Sequence, residues 1–225
     1  KSTLLHLLGG LDRPTNGAIY FGQNDICKLP ANELAEFRNR ELGFVWQIHS
    51  LLAEFTALEN VMVGRHVRTR TGVIGAILRN RVTRNEERAT EQRAHELLDY
   101  CGIAPHANAL ARHLAYGDQR RLEIARALAT EPSLLALDEP AAGMNATETG
   151  ALRGLLERIR ADGITLLLIE HDVKLVMGLC DRLAVLDYGR KIAEGTPAEV
   201  QRDARVIEAY LGTGATEAAE AADAT

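Results

Sequence analysis

Residues 131–139 read Glu-Pro-Ser-Leu-Leu-Ala-Leu-Asp-Glu. The apolar run Leu134–Leu137 follows a proline stop and closes on two acids. A short, continuous apolar run without alternation is the pattern of a strand buried on both faces of a parallel sheet. Asp138 and Glu139 then fall at the carboxyl edge of that sheet, where open α/β sheets bind ligands. One carboxylate there can hold Mg²⁺ while its neighbour orients a water, the division of labour required by phosphoryl transfer. Just upstream, Leu114–Gln119 (LAYGDQ) forms a glycine-containing turn that opens an Arg-rich helix. Free N–H groups and the helix dipole suit such a turn to phosphate.

The surrounding chain supports an α/β reading. Lys1–Leu11 reads as a short helix closed by Gly9-Gly10, Ala18–Phe21 as a strand, Ala31–Arg40 as a helix and Leu42–Gln47 as an apolar strand ending in glutamine. Thr56–Leu110 is mostly helical. Thr147–Asp162 carries Leu152, Leu155, Leu156 and Ile159 on one helical face. Ile164–Ile169 is a second buried strand, ending at Glu170-His171. Val173–Cys180 reads as a helix, Arg182–Asp187 as a strand turning at Tyr188-Gly189, and Pro197–Leu211 as one last helix. Strand–helix alternation from residue 134 onward predicts right-handed crossovers and a mainly parallel sheet. Four segments are expected: 1–55 and 131–212 as parts of a nucleotide-binding core, 56–130 as an inserted helical subdomain, and 213–225 as a disordered Ala/Glu/Asp-rich tail.

Aromatic residues make up only 4% of the chain, which favours aliphatic α/β packing over a β-sandwich. The net charge of −5 gives no electrostatic reason to expect nucleic acid. Cys27, Cys101 and Cys180 form no CxxC pair and read as buried, reduced thiols. No apolar run approaches the ~20 residues of a membrane span. Arg65–Arg88 holds seven arginines, with no acid before Glu86, around an apolar island at Val73–Leu78. It reads either as a solvated helical insertion or as a surface for a membrane partner or anionic lipid. Arg120, Arg121 and Arg126 follow the glycine turn, and for at least two of them a solvated basic face is the better reading.

The order Tyr-Gly-Asp-Gln, helix, apolar strand, Asp-Glu-Pro resembles the ATPase subunit of an ABC transporter. The resemblance implies a P-loop NTPase fold, a three-layer α/β sandwich with an inserted helical subdomain, and it implies ATP and Mg²⁺. Lys1-Ser2-Thr3 then corresponds to the end of a phosphate-binding loop, whose glycines and preceding strands would lie before Lys1. Lys1, Ser2 and Thr3 are implied ATP ligands. Tyr116, Gly117, Asp118 and Gln119 match the family's signature turn, which caps the γ-phosphate. Ala115 stands where that turn usually has serine, a loss of about 1.5–3 kcal/mol if the missing hydrogen bond were charge-assisted. Ser2, Gln47 and Asp138 are implied at Mg²⁺. Glu139 is the implied general base, His171 the switch histidine and Gln47 a contact to the attacking water. Gly143 and Asn145 match the loop that meets a second subunit, with Asn145 in place of the usual Asp.

Within the family, residues 1–60 look like the lipoprotein-releasing and macrolide-export types, LolD and MacB. From about Val61 the chain resembles the branched-chain amino-acid importer type, LivG. Because the helical subdomain, signature, carboxylates and switch histidine lie in the latter part, amino-acid import is the expected function. Lipoprotein release, macrolide export or an inactive cassette are the alternatives. A DNA- or ribosome-directed ABC ATPase would bring a second cassette or heptads, and neither is visible. The implied partners are transmembrane permease subunits, a second ATPase subunit (a LivF-like heterodimer is favoured over a homodimer) and, indirectly, a periplasmic binding protein. The implied location is peripheral, on the cytoplasmic face of the inner membrane.

Overall fold

The computed structural model describes residues 2–48, 50–68 and 81–211. Lys1, the Val73–Leu78 island and the expected tail lie outside the described residues. The chain divides into two compact units, Ser2–Ile169 and the residues from Glu170 onward.

The first unit is built on a parallel three-stranded sheet in the order β3-β4-β5. Here β3 is Leu42–Val45, β4 is Leu134–Asp138 and β5 is Thr165–Ile169. Leu42 pairs with Leu134 and Val45 with Leu137, while Asp138 pairs with Ile169. In β4, Leu135, Ala136, Leu137 and Asp138 are all buried, as the unbroken apolar run requires.

Helix α1 (Ser2–Leu8) precedes the sheet. It ends at Gly9-Gly10, where Gly10 has φ +63° and Leu11 N donates back to His6 O. Only glycine enters that left-handed region without strain. The expected strand at Ala18–Phe21 shrinks to β1 (Tyr20–Phe21), which turns and pairs antiparallel with β2 (Asn24–Asp25). Helix α2 spans Ala31–Glu41.

Among the described residues, the expected helical stretch holds the α-helices α3 (Ala57–Arg65) and α4 (Arg81–Tyr100). A capping box between Thr56 and Glu59 starts α3, satisfying two backbone donors that a helix start otherwise leaves open. Gly102 (φ +75°) lies just beyond the end of α4. Helix α5 (Tyr116–Leu128) lies against both. Helix α6 (Ala146–Ala161) buries Leu152, Leu155, Leu156 and Ile159, the stripe read from sequence.

In the second unit, α7 (Val173–Leu179) precedes an antiparallel hairpin, β6 (Leu183–Asp187) and β7 (Arg190–Gly195). Ala193, Val200 and Val206 form its small core, with Met177, Leu183, Val185 and Ile192 packed around them. The single helix expected at Pro197–Leu211 is broken. Helix α8 (Pro197–Gln201) ends at Arg202, and the Asp203 side chain accepts from Arg205 N to start α9 (Ala204–Val206). A π turn then covers Ile207–Leu211. An aspartate whose carboxylate caps a new start competes with continuing the old helix.

Two other expectations are corrected. Of the cysteines only Cys101 is buried, and Cys27 and Cys180 are half-buried. The arginines of α5 do not form a solvated face. Arg120 is fully buried, Arg121 is largely covered beside Asp118, and Arg126 donates to Ser50 O and Oγ. The reason is that α5 is packed against other elements on several sides, although nearly half of its residues are charged or polar. Leu122, Ile124, Ala125, Ala127 and Leu128 are buried on several sides, so its charged side chains are enclosed along with them.

Candidate nucleotide site

The carboxyl ends of β3 and β4 bring four of the sequence-predicted residues together. Ser2 Oγ donates to Asp138 Oδ2 at 3.0 Å. Asp138 is buried at the last position of β4, and Ser2 opens α1. Beside them, Gln47 Nε2 donates to Glu139 Oε2 at 3.0 Å. Gln47 lies two residues past β3, so parallel register carries it to the level of the β4 acids. Thr3 follows Ser2 in α1.

Glu139 sits just past β4 with φ +46°, a left-handed backbone rarely adopted by a residue with a side chain. Its N–H donates to Ile169 O at 2.8 Å, and its carbonyl accepts from Ala142 N. The sharp turn at Glu139 directs the chain away from the sheet into the loop at Ala141–Asn145. Strain of this kind gathers at functional sites, at a cost of order 1–3 kcal/mol.

A second group forms where the starts of α5 and α6 meet. Tyr116, Gly117, Asp118 and Gln119 make the first turn of α5, whose N-cap, Ala115, supplies no side-chain hydrogen bond. A Cβ at Gly117 would lie 3.2 Å from Glu148 Oε1, so only a glycine lets the two helix starts approach this closely without displacing Glu148. Gly143 (φ +78°) faces the Tyr116 ring, with a Cβ there 3.6 Å away. Asn145 is the N-cap of α6. Its Oδ1 accepts from Thr147 N and Glu148 N, and Glu148 Oε2 accepts from Asn145 N. Gln119 turns its amide back to Ala111 O and Leu114 O, so its side chain braces the turn. Asp118 faces Arg121 at 3.5 Å and His106 at 3.8 Å.

His171 belongs to the second unit. Its backbone N donates to Glu170 Oε2 at 3.0 Å, and its ring is 63% exposed. Sequence reading overlooked Asn60, which is fully buried and organises the loop after Gln47. Asn60 Oδ1 accepts from Leu52 N, while its Nδ2 donates to Leu52 O, Phe55 O and Thr56 O. One buried amide thus satisfies backbone groups of a segment with no ladder of its own.

The sequence family described as ABC transporter matches residues 1–142, more than half of the chain and including every residue of the Ser2–Asp138 and Gln47–Glu139 pairs. The chain belongs to the ABC transporter ATPases. A shorter match, to the family described as branched-chain amino acid ATP-binding cassette transporter, covers residues 190–216. This ABC ATPase is 41% identical over 215 residues to the high-affinity branched-chain amino acid transport ATP-binding protein LivG of Salmonella typhimurium, covering 94% of this chain and 82% of that protein. It is 40% identical over 195 residues to the lipoprotein-releasing system ATP-binding protein LolD of Geobacter metallireducens, covering 86% and 80%. Both alignments run through Glu59-Asn60. In three dimensions it matches the dimeric post-hydrolysis state of the ATP-binding cassette MJ0796 bound to ADP and Pi, with a TM-score of 0.73, 29% identity and coverage of 87% and 80%. The α/β ABC ATPase fold expected from sequence is therefore the fold of the chain. Among the described residues, no helix is long and apolar enough to cross a membrane, and ABC ATPases work with permeases.

Proposed function

We propose that this ATPase powers uptake of branched-chain amino acids from the cytoplasmic face of the inner membrane. Transmembrane permease subunits would form its pore, a second, LivF-like ATPase subunit would complete its sites, and a periplasmic binding protein would act indirectly. The adjoining Ser2–Asp138 and Gln47–Glu139 hydrogen bonds at the ends of β3 and β4 carry the hydrolytic part of this reading. The LivG-type relatives and the match at residues 190–216 support the substrate class.

Glu139 accepts the proton of the attacking water, and Gln47 orients that water through the amide now held by Glu139. Ser2 and Asp138 offer hard oxygen donors, the donor chemistry of Mg²⁺. When bound, the ion would neutralise charge on the β- and γ-phosphates. Lys1, Ser2 and Thr3 hold the phosphates of one nucleotide, and the Tyr116–Gln119 turn caps the γ-phosphate held by the partner subunit. Gly143 and Asn145 lie at the subunit contact, and His171 senses the γ-phosphate. Segments 1–55 and 131–212 serve as the nucleotide-binding core and 56–130 as the helical subdomain.

Glu139→Gln in the full-length protein removes the base while keeping the size and hydrogen-bonding reach of the side chain. Single-turnover hydrolysis should fall by about 10²–10⁴, with ATP binding retained. Unchanged turnover would refute the assignment. Proteoliposomes holding the permease and both ATPases should take up leucine in an ATP-dependent manner. The LolD match favours lipoprotein release as the second reading, and failure of leucine uptake together with ATP-driven lipoprotein extraction would establish it.

A further inference from the structure

The loop that carries Gln47 is gripped along its length by one face of α5. Arg120 is fully buried and sits one turn into α5. Its Nη1 donates to Trp46 O at 2.6 Å and to Glu123 Oε2 at 2.8 Å, and its Nη2 donates to Gln47 O at 3.3 Å. Glu123, 2% exposed, uses its other oxygen, Oε1, to accept from Ser50 N at 2.8 Å. One turn further, Arg126 donates to Ser50 O at 2.7 Å and to Ser50 Oγ at 2.6 Å. Carbonyls or amides at 46, 47 and 50 are thus bound by three charged side chains of a single helix. At the N-terminal end of the same helix, Nη2 of Arg120 also lies 3.4 Å from the Tyr116 hydroxyl.

A buried ion pair is a costly way to hold a helix together. Well-packed apolar residues of similar volume often do as well or better, whereas removing one partner strands a charge. What apolar residues cannot do is bind main-chain carbonyls. The planar fork of Arg120 reaches two consecutive carbonyls and a carboxylate at once. Its Nε has no hydrogen-bond partner among the described residues, so the guanidinium is committed to the loop through its two terminal nitrogens.

We propose that Arg120, held by Glu123, is the positioning residue for Gln47. It ties the Gln47 backbone to the helix whose first turn carries Tyr116 and Gly117, so that Gln47 meets Glu139 only while α5 is docked on the loop. This rests on the reading that Gln47 and Glu139 handle the attacking water.

The test is a double-mutant cycle on ATP hydrolysis by the full-length protein assembled with its permease. Gln47→Ala and Arg120→Met should each lower kcat by about fivefold to thirtyfold with KM changed less than about twofold, and the double variant should be no slower than Gln47→Ala alone. Arg120→Met/Glu123→Met removes the grip without leaving a buried charge. It should show the same loss of kcat with an unchanged or raised Tm, which separates positioning from stability. Losses that multiply in the double variant, or full kcat in the Met/Met variant, would overturn the proposal. If Gln47→Ala alone left kcat unchanged, the role of Gln47 itself would be refuted, and the proposal with it.

Discussion

Gly64 offers a sharp test of how closely α3 and α5 are packed. A Cβ built on Gly64 would lie 2.3 Å from the Arg126 carbonyl oxygen and 2.9 Å from Arg126 Cγ. Two effects compete in Gly64→Ala. Alanine is the better helix former, by at most about 1 kcal/mol at this position near the end of α3. Against that, the new methyl falls roughly 1 Å inside ordinary contact distance, and the atom it meets is backbone within a helix, which cannot swing aside. Overpacking of this kind costs about 1–3 kcal/mol, and so severe an overlap lies at the upper end. The net is a destabilisation of about 1–2 kcal/mol, or a Tm lower by about 2–8 °C for a chain of this size. Gly154→Ala is the control. It lies inside α6, where a Cβ meets nothing within 4 Å, so only the propensity gain applies and Tm should rise by about 2–4 °C. Urea unfolding followed by circular dichroism on both full-length variants reads the two signs. A Gly64→Ala protein as stable as the parent would show that α3 and α5 are not in the contact described.

Asn145→Ala removes the acceptor for Thr147 N and Glu148 N and should cost about 1 kcal/mol of stability in the isolated subunit. No change in urea midpoint would leave Asn145 without its capping role. Burial pushes the Cys101 thiol up to about 12, so native-state labelling with a thiol reagent at neutral pH should modify Cys27 and Cys180 first; early loss of Cys101 would contradict its burial. The hydrogen bond from Arg65 holds the Glu131 carboxyl below its usual range. Its contribution to stability is therefore complete above the unfolded value of about 4.3 and is lost as pH falls through the lower folded value. Arg65→Met should move the Glu131 titration, followed by NMR, back upward, and an unmoved titration would refute the pairing.

The sheet was legible because its signal is local. Leu134–Leu137 and Ile164–Ile169 are apolar runs of strand length bounded by turns, and both became strands within a residue of the expected limits. The α6 stripe was legible for the same reason. The Ser2–Asp138 and Gln47–Glu139 pairs join residues 136 and 92 positions apart. Spacing alone could not have joined them, and the resemblance to ABC ATPases supplied the connection. The β2 partner of Tyr20–Phe21 went unread because Asn24–Asp25 has neither β-branching nor alternation. The arginines of α5 were misread, and Glu123 went unread, because an Arg–Glu pair three residues apart looks the same on a solvated face as in a core. The clue lay in their neighbours, since Leu122, Ile124 and Ala125 are apolar and flank Arg120 and Glu123 on the helix.

The left-handed backbone at Glu139 sets two kinds of selection against each other. Glycine at 139 would relieve a strain of order 1 kcal/mol and be welcomed by any screen that scores folding alone. The same replacement deletes the carboxylate that Gln47 reaches. With Glu139 as the base proposed above, thermostability campaigns that pool variants without assaying turnover should enrich inactive enzyme at this position, and the wild-type residue should persist only where hydrolysis itself is under selection.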